Sequence, residues 1–329
     1  MLSRVFAGAV PALSQKGSAV HLIRFVRPGK RPAVGVVDAD GITAVPDAAS
    51  MADLLTLRQS ELKSLVASTA RAERIPLAEV EPLPPIDGRT EVWGSRVARP
   101  DPQAGRPAAL NPPAIHDAVY DAERPELYFK SVPWRIVTDD EPGGIRRDAV
   151  WSVPEPQLAL VVNRYGEIVG ATVCDDLTAR SIEHENPLYL AQAKVYAGSC
   201  VLASRIRPWW EIADPTALET TMTIHRGGGV RFRGTAGTAE PGRWFADLIV
   251  WLFREQNFPD GVVLATGSAI VPPPDVTLDP GDRIEITIDE VGTLTHSVVC
   301  DPAAFQWLGA PHDPAGRRRL AAAGTTGRW

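Results

Sequence analysis

The sequence predicts an α+β protein dominated by short strands. Short apolar or alternating runs recur from His21 to Leu294, with turn residues between them. Only one long stretch, Arg243 to Gln256, spaces its apolar residues as a helix does. Many strands with few helices argue against a doubly wound sheet, in which the two alternate. At 329 residues and 44% hydrophobic content, the chain is long enough for a large core, with one large domain and a smaller N-terminal one.

Residues 1–20 read as a leader extension. Arg4 precedes an apolar stretch, Val5 to Leu13, that Gly8 and Pro11 interrupt, which is too short and weak for a signal peptide. Residues 21–87 read as a small α+β domain. It opens with H-L-I-R-F-V, a turn at Pro28-Gly29 and V-G-V-V-D. Asp40-Gly41 between apolar runs then signals a hairpin. Ser50 is placed to cap a helix over Met51 to Leu57, and Glu61 to Ala72 continues the helical composition. Residues 88–119 form a Pro-rich connection and loop, in which His116 reads as an ordinary polar residue.

The remaining segment, 120–329, carries the chemistry. A turn at Tyr165-Gly166 separates two apolar runs, and Gly227-Gly228-Gly229 separates T-T-M-T-I-H-R from V-R-F-R-G-T-A. No helix follows the triple glycine, so it predicts a hairpin and not a phosphate loop.

A formal charge of −6 and a pI near 5.6 argue against nucleic acid as a partner. Arg317-Arg318-Arg319 reads as a solvated tail. No stretch approaches the ~18 apolar residues of a membrane span. Three cysteines without a CxxC point to a reducing compartment, and the expected location is cytoplasmic. Cys174 reads as a small buried thiol rather than a nucleophile.

Within V-P-E-P-Q-L-A-L-V-V, Glu155 and Gln157 lie two apart, which on a strand puts both on one face. Asp175-Asp176 ends the returning run, Asp176 standing nineteen residues after Gln157, an interval that fits strand, turn and strand. Carboxylate and amide oxygens suit a hard divalent cation, Mg²⁺ or Mn²⁺. The alternative is an exposed strand face with an Asp-Asp turn at its end. Lys194 follows, one of five lysines against twenty-nine arginines.

These motifs resemble the fumarylacetoacetate hydrolase superfamily, in P-E-P-x-L-A-L-V-V and D-x-x-A-R, and within it the 2-keto-3-deoxy-arabinonate dehydratases. The branch shares R-P-E-L-Y-F-K (Arg124 to Lys130), I-R-R-D (Ile145 to Asp148), V-P-E-P (Val153 to Pro156), E-N-P-L-Y-L (Glu185 to Leu190) and Q-A-K-V-Y (Gln192 to Tyr196). The resemblance implies a rolled mixed β-sheet around a metal, flanking helices and a homodimer. It places Glu155, Gln157 and Asp176 as metal ligands and Lys194 as the active-site lysine. Thr266, Gly267 and Ser268 take the place of a loop that holds the substrate's carboxylate, and Lys130 is a further candidate for substrate binding. Three departures stand out. Gln157 replaces a glutamate, Asp175 replaces a common asparagine and would restore a negative charge beside the site, and Trp93-Gly94-Ser95-Arg96 replaces a glycine-tyrosine loop. Arg96 or Arg99 is a candidate partner for a carboxylate.

The implied reaction is dehydration of a 2-keto-3-deoxy sugar acid. A divalent cation chelated by the keto acid acidifies C3 and stabilises the enolate, and the C4 hydroxyl leaves as water. Lys194 is the expected base, against the alternative of a salt bridge to Asp175 or Asp176. Glu183, His184 and Glu185 are the candidates for the acid. Two other readings stay open: a C–C hydrolase or decarboxylase of the superfamily, and a repurposed paralogue. No His-x-x-Glu dyad for water activation is evident in the N-terminal part, which disfavours hydrolysis.

Overall fold

The structure is a computed structural model that describes residues 19–46, 48–69, 73–95, 124–237, 242–268 and 270–309. Arg96, Arg99, His116 and Arg317–Arg319 lie outside the described residues.

The described residues form two sheets, one of twelve strands and one of five. Strand Pro156–Val162 lies inside the larger sheet, between Ile168–Asp176 and Val262–Ala265. Tyr165-Gly166 makes the expected turn, with Gly166 at φ 78°, where the absence of a Cβ removes the steric cost. Alternation divides this strand between two cores. Leu158, Leu160 and Val162 pack with Ile284, Ile286 and Leu294 of the second sheet. Ala159 and Val161 pack on the other side with Met51, Leu54 and Leu62. Both faces are therefore dry, and polar side chains survive there only if they are paired.

The predicted hairpins and helices form with small changes. Ala33–Asp38 and Gly41–Ala44 pair across the Asp40-Gly41 turn, and Glu219–Arg226 pairs with Gly229–Gly237. Ser50 caps a helix that runs only over Met51–Leu54, through a reciprocal box with Asp53. A new helix, Gln59–Ser68, starts where Glu61 accepts the Arg58 N–H at 2.8 Å. The long helix spans Gly242–Phe253 and buries Phe245, Leu248, Ile249 and Leu252. Segment 21–87 joins the larger sheet, because His21–Val26 pairs with Arg205–Pro208.

The sheet curls. From Ile168–Asp176 the ladder steps to Pro156–Val162, Val262–Ala265, Glu91–Ser95 and Leu127–Ser131. Four such steps in a flat sheet would span about 19 Å, beyond the reach of two side chains. Yet Lys130 Nζ lies 2.5 Å from Asp176 Oδ1. The edge strand therefore comes back over the face of Ile168–Asp176, and the predicted roll is present.

Candidate active site

Asp175 pairs with Pro156 and Cys174 with Gln157, which sets Glu155, Gln157 and Asp176 on one face at the sheet's end. All three are buried. Asp176 is held from the edge strand by two residues of one face, Lys130 and Tyr128. The Tyr128 hydroxyl donates to Oδ2 at 2.5 Å. Lys130 Nζ meets Oδ1 as an ion pair without the alignment of a hydrogen bond. Gly94 makes room for Tyr128, since a Cβ there would lie 2.4 Å from the tyrosine's Cζ.

Lys194 arrives from the other side. Asn186 accepts the Leu188 N–H and opens a turn at Pro187–Tyr189, which leads into the short helix Leu190–Lys194. Its last residue sends Nζ to Glu155 Oε2 at 2.6 Å, Asp176 Oδ2 at 3.0 Å and Thr178 Oγ1 at 2.8 Å. An ammonium has three donors, and all three are used. The counter-ion alternative is thus present in this state, with Glu155 and Asp176 as partners. Lys130 likewise spends its donors on Asp176, Lys194 O and Leu177 O. It is 1% exposed, and these contacts make it a positioning residue for Asp176 and the Lys194 turn.

Arg180 bridges Glu155 Oε1 at 2.6 Å and Glu183 Oε2 at 2.5 Å. Of the three acid candidates, Glu183 thereby reaches the centre through Arg180. His184 packs edge-on against Trp151, ring centroids 5.2 Å apart, and Glu185 ends its helix exposed. Among the described residues, three carboxylates (Glu155, Asp176, Glu183) meet three cations (Lys130, Lys194, Arg180), whose formal charges cancel.

Gln157 is oriented by its neighbour. The Gly267 N–H donates to Oε1 at 2.8 Å, which leaves Nε2 3.4 Å from both Glu155 Oε2 and Asp176 Oδ2. Turning the amide over would set its NH₂ against an N–H, so the backbone fixes the assignment. The expected ligand oxygen therefore points at Gly267, and nitrogen faces the carboxylates. Thr266 and Ser268 turn their hydroxyls to Leu158 O and Ile270 O. Of the expected carboxylate-holding loop, the Gly267 amide donates toward the centre, and Gln157 accepts it.

Residues 155–299 match the profile described as fumarylacetoacetate (FAA) hydrolase C-terminal. The 2-dehydro-3-deoxy-D-arabinonate dehydratase of Saccharolobus solfataricus is 43% identical over 214 residues, 64% of this chain and 72% of that protein. The chain belongs to the fumarylacetoacetate hydrolase family. A Haloferax volcanii member named "probable 2-keto-3-deoxyxylonate dehydratase" is 40% identical over 214 residues, 65% of this chain and 73% of that one. Among solved structures, a hexagonal form of 2-keto-3-deoxyarabinonate dehydratase aligns at TM-score 0.74 and 34% identity, over 85% of this chain and 99% of that chain. A 2-keto-3-deoxy-D-arabinonate dehydratase complexed with magnesium and 2,5-dioxopentanoate aligns at TM-score 0.71 and 34% identity, with the same coverage.

Three residues at this centre, Tyr128, Thr178 and Arg180, and one behind it, His296, escaped the sequence reading, although Arg180 closes the D-x-x-A-R motif. Tyr128 lies two positions before Lys130, the same alternation that united Glu155 and Gln157. His296 alternates with Leu294 and Val298 on a buried face, and a histidine in the middle of an apolar stripe is the signal. Its Nε2 lies 2.9 Å from Asp175 Oδ2. Asp175 does not add charge beside Asp176 as expected, because successive residues of a strand face opposite ways. The His296 Nδ1 faces Ser297 O at 3.0 Å and so carries a hydrogen.

Burial keeps the neighbouring weak acids protonated. The Tyr196 phenol is pushed well above its usual range, by burial first and then by Asp176 and Asp175. The Cys174 thiol is raised by its hydrogen bond with Cys200 and by burial, as befits a buried thiol that is not a nucleophile.

Proposed function

We propose that this chain is a divalent-metal-dependent lyase that dehydrates a 2-keto-3-deoxy sugar acid. One observation carries the reading: Glu155 and Asp176 converge on a single cationic group, Lys194 Nζ, inside a curled sheet of a dehydratase-like chain. The spot between the two carboxylates is built for positive charge, and its hard oxygens suit Mg²⁺ or Mn²⁺. Glu155 and Asp176 would hold the ion, with Gln157 beside them. When bound, the cation stabilises negative charge that develops on the keto oxygen as C3 loses its proton.

Lys194 is the residue proposed to move that proton. To do so it must give up at least one of its three present partners, and Thr178 is the uncharged one. Arg180 fixes Glu155 from behind, and Tyr128 holds Asp176. The reaction breaks C3–H and C4–OH and releases water. For a five-carbon acid, the resulting C3=C4 enone then loses a C5 proton and gains one at C3. The C4=C5 enol so formed takes a proton at C4 as its hydroxyl loses one, which makes C5 an aldehyde.

Incubation with a panel of 2-keto-3-deoxy acids, with Mg²⁺, with Mn²⁺ and with chelator, tests the reading by NMR. Metal-dependent loss of the C4 hydroxyl is expected. Absence of both turnover and C3 exchange into deuterated water would remove the lyase reading. Among these acids, 2-keto-3-deoxy-arabinonate itself is expected to react poorly, because Gln157 and the Trp93–Ser95 segment depart from the family pattern.

We also read the protein as a cytoplasmic homodimer with a small-molecule substrate. Three free cysteines, two of them buried, support a reducing compartment. Among the described residues, no helix is long and apolar enough to cross a membrane. Light scattering of the purified protein tests the dimer.

A further inference from the structure

Two fully buried ionisable side chains stand behind the proposed centre. Asp175 and His296 are both shut off from solvent and paired at 2.9 Å, although they come from different sheets. Such a pair is expensive to desolvate and is weak evidence for stability. Its position points to another task.

Glu155 lies between Pro154 and Pro156, neither of which has an N–H. The Glu155 N–H is therefore the one backbone donor of that tripeptide, at the place where Pro156 faces Asp175 across the ladder. Asp175 Oδ1 accepts it at 2.9 Å. The opposite oxygen goes to His296, and His296 is anchored in turn on Ser297 O. Room for the ring is built in: a Cβ on Gly143 would lie 2.7 Å from His296 Nδ1 and from Leu177 Cδ1.

We propose that His296 and Asp175 form a strut that positions Glu155, so that the second sheet holds the catalytic centre from behind. Neither residue touches substrate. Both act by fixing the backbone from which the Glu155 carboxylate reaches Lys194 and Arg180. The inference rests on Glu155 belonging to the proposed centre, and it adds a positioning role for the second sheet.

The decisive variants are Asp175→Leu/His296→Leu and His296→Gln. Replacing both partners by apolar groups of similar size leaves no buried charge, so the double variant is expected to fold. Its Glu155 N–H, however, has lost its acceptor. Amide exchange at Glu155, read from a peptide covering 153–158, should accelerate. The kcat and the Mn²⁺ affinity, read by electron paramagnetic resonance, should fall by roughly 10–100-fold, the usual loss when a ligand's outer partner is removed. In His296→Gln the amide nitrogen replaces Nε2, and all three readouts should stay near wild type.

A folded double variant with wild-type kcat, affinity and exchange would overturn the strut. So would an equal loss in His296→Gln, because the pair would then only fill space. Should the double variant not fold, His296→Asn makes the same comparison with His296→Gln, since asparagine reaches toward Ser297 but not Asp175. If wild type dehydrates none of the acids, the functional reading fails by itself, while exchange and Mn²⁺ binding still decide the strut.

Discussion

A glutamine at position 157 lowers what the centre offers a cation. The three carboxylates around it are already matched by Lys130, Lys194 and Arg180. A glutamate at 157 would tip the balance to net negative, and site charge is a main determinant of divalent affinity. Gln157→Glu should therefore bind Mg²⁺ or Mn²⁺ at least ~10-fold more tightly. Without metal it should melt lower, having exchanged an NH₂ donor for a fourth carboxylate. Calorimetric titration alongside Asp176→Ala, which should lose the metal, checks this; equal affinities across the three proteins would count against the site. Lys194→Arg keeps the charge but cannot serve as a base near neutral pH. Turnover should drop at least ~100-fold with metal binding retained, and a near-normal rate would leave Lys194 as a counter-ion. The face shared by Glu155 and Gln157 was legible because strand alternation is local. The partner of Asp175 was not legible, since His296 lies 121 positions away and only the packing of two sheets brings it there.

At the scale of elements, hairpins read well because each is set by its own turn residues: Asp40-Gly41, Tyr165-Gly166 and Gly227 to Gly229 all turn as expected. The Ser50 cap was equally visible, whereas the break after Leu54 was not, because it depends on Glu61 reaching back to the Arg58 N–H. The curl of the larger sheet was available only through resemblance. No local pattern says that Leu127–Ser131 lies over Ile168–Asp176. That overlap depends on close approach at Gly94, so Gly94→Ala is a sharp probe. Its methyl would collide with the Tyr128 ring, and overpacking of this kind costs about 1–3 kcal/mol. Thermal unfolding should show the loss, and activity should fall further than stability does, because Tyr128 is displaced from Asp176. A variant with unchanged melting and rate would mean that the strand yields without cost.

At the scale of the whole molecule, His21 couples the first strand to the second sheet. Its ring sits between Val291 O at 3.1 Å and Ala19 O at 3.3 Å. These carbonyls favour a protonated ring, but burial opposes it more strongly, with help from Arg207 and Arg205, and His21 titrates at about 4 instead of 6.5. An unfolded chain takes up this proton near 6.5, before the folded one does. Stability should be greatest above pH 6.5, decline as pH falls toward 4, and then level off, by about 3 kcal/mol in all. Urea unfolding across that range, with His21→Gln removing this part of the slope, measures it; an identical slope in the variant would assign the effect to other groups. The pairing of His21–Val26 with Arg205–Pro208 also sets a timetable for synthesis. The strand is buried at all six positions, yet its partner emerges some 180 residues later. At ~5–20 residues per second, a nascent chain holds this apolar edge unpaired for on the order of ten to forty seconds. The ribosome-bound intermediate, rather than the finished enzyme, is where this protein is most exposed to aggregation and most in need of a chaperone.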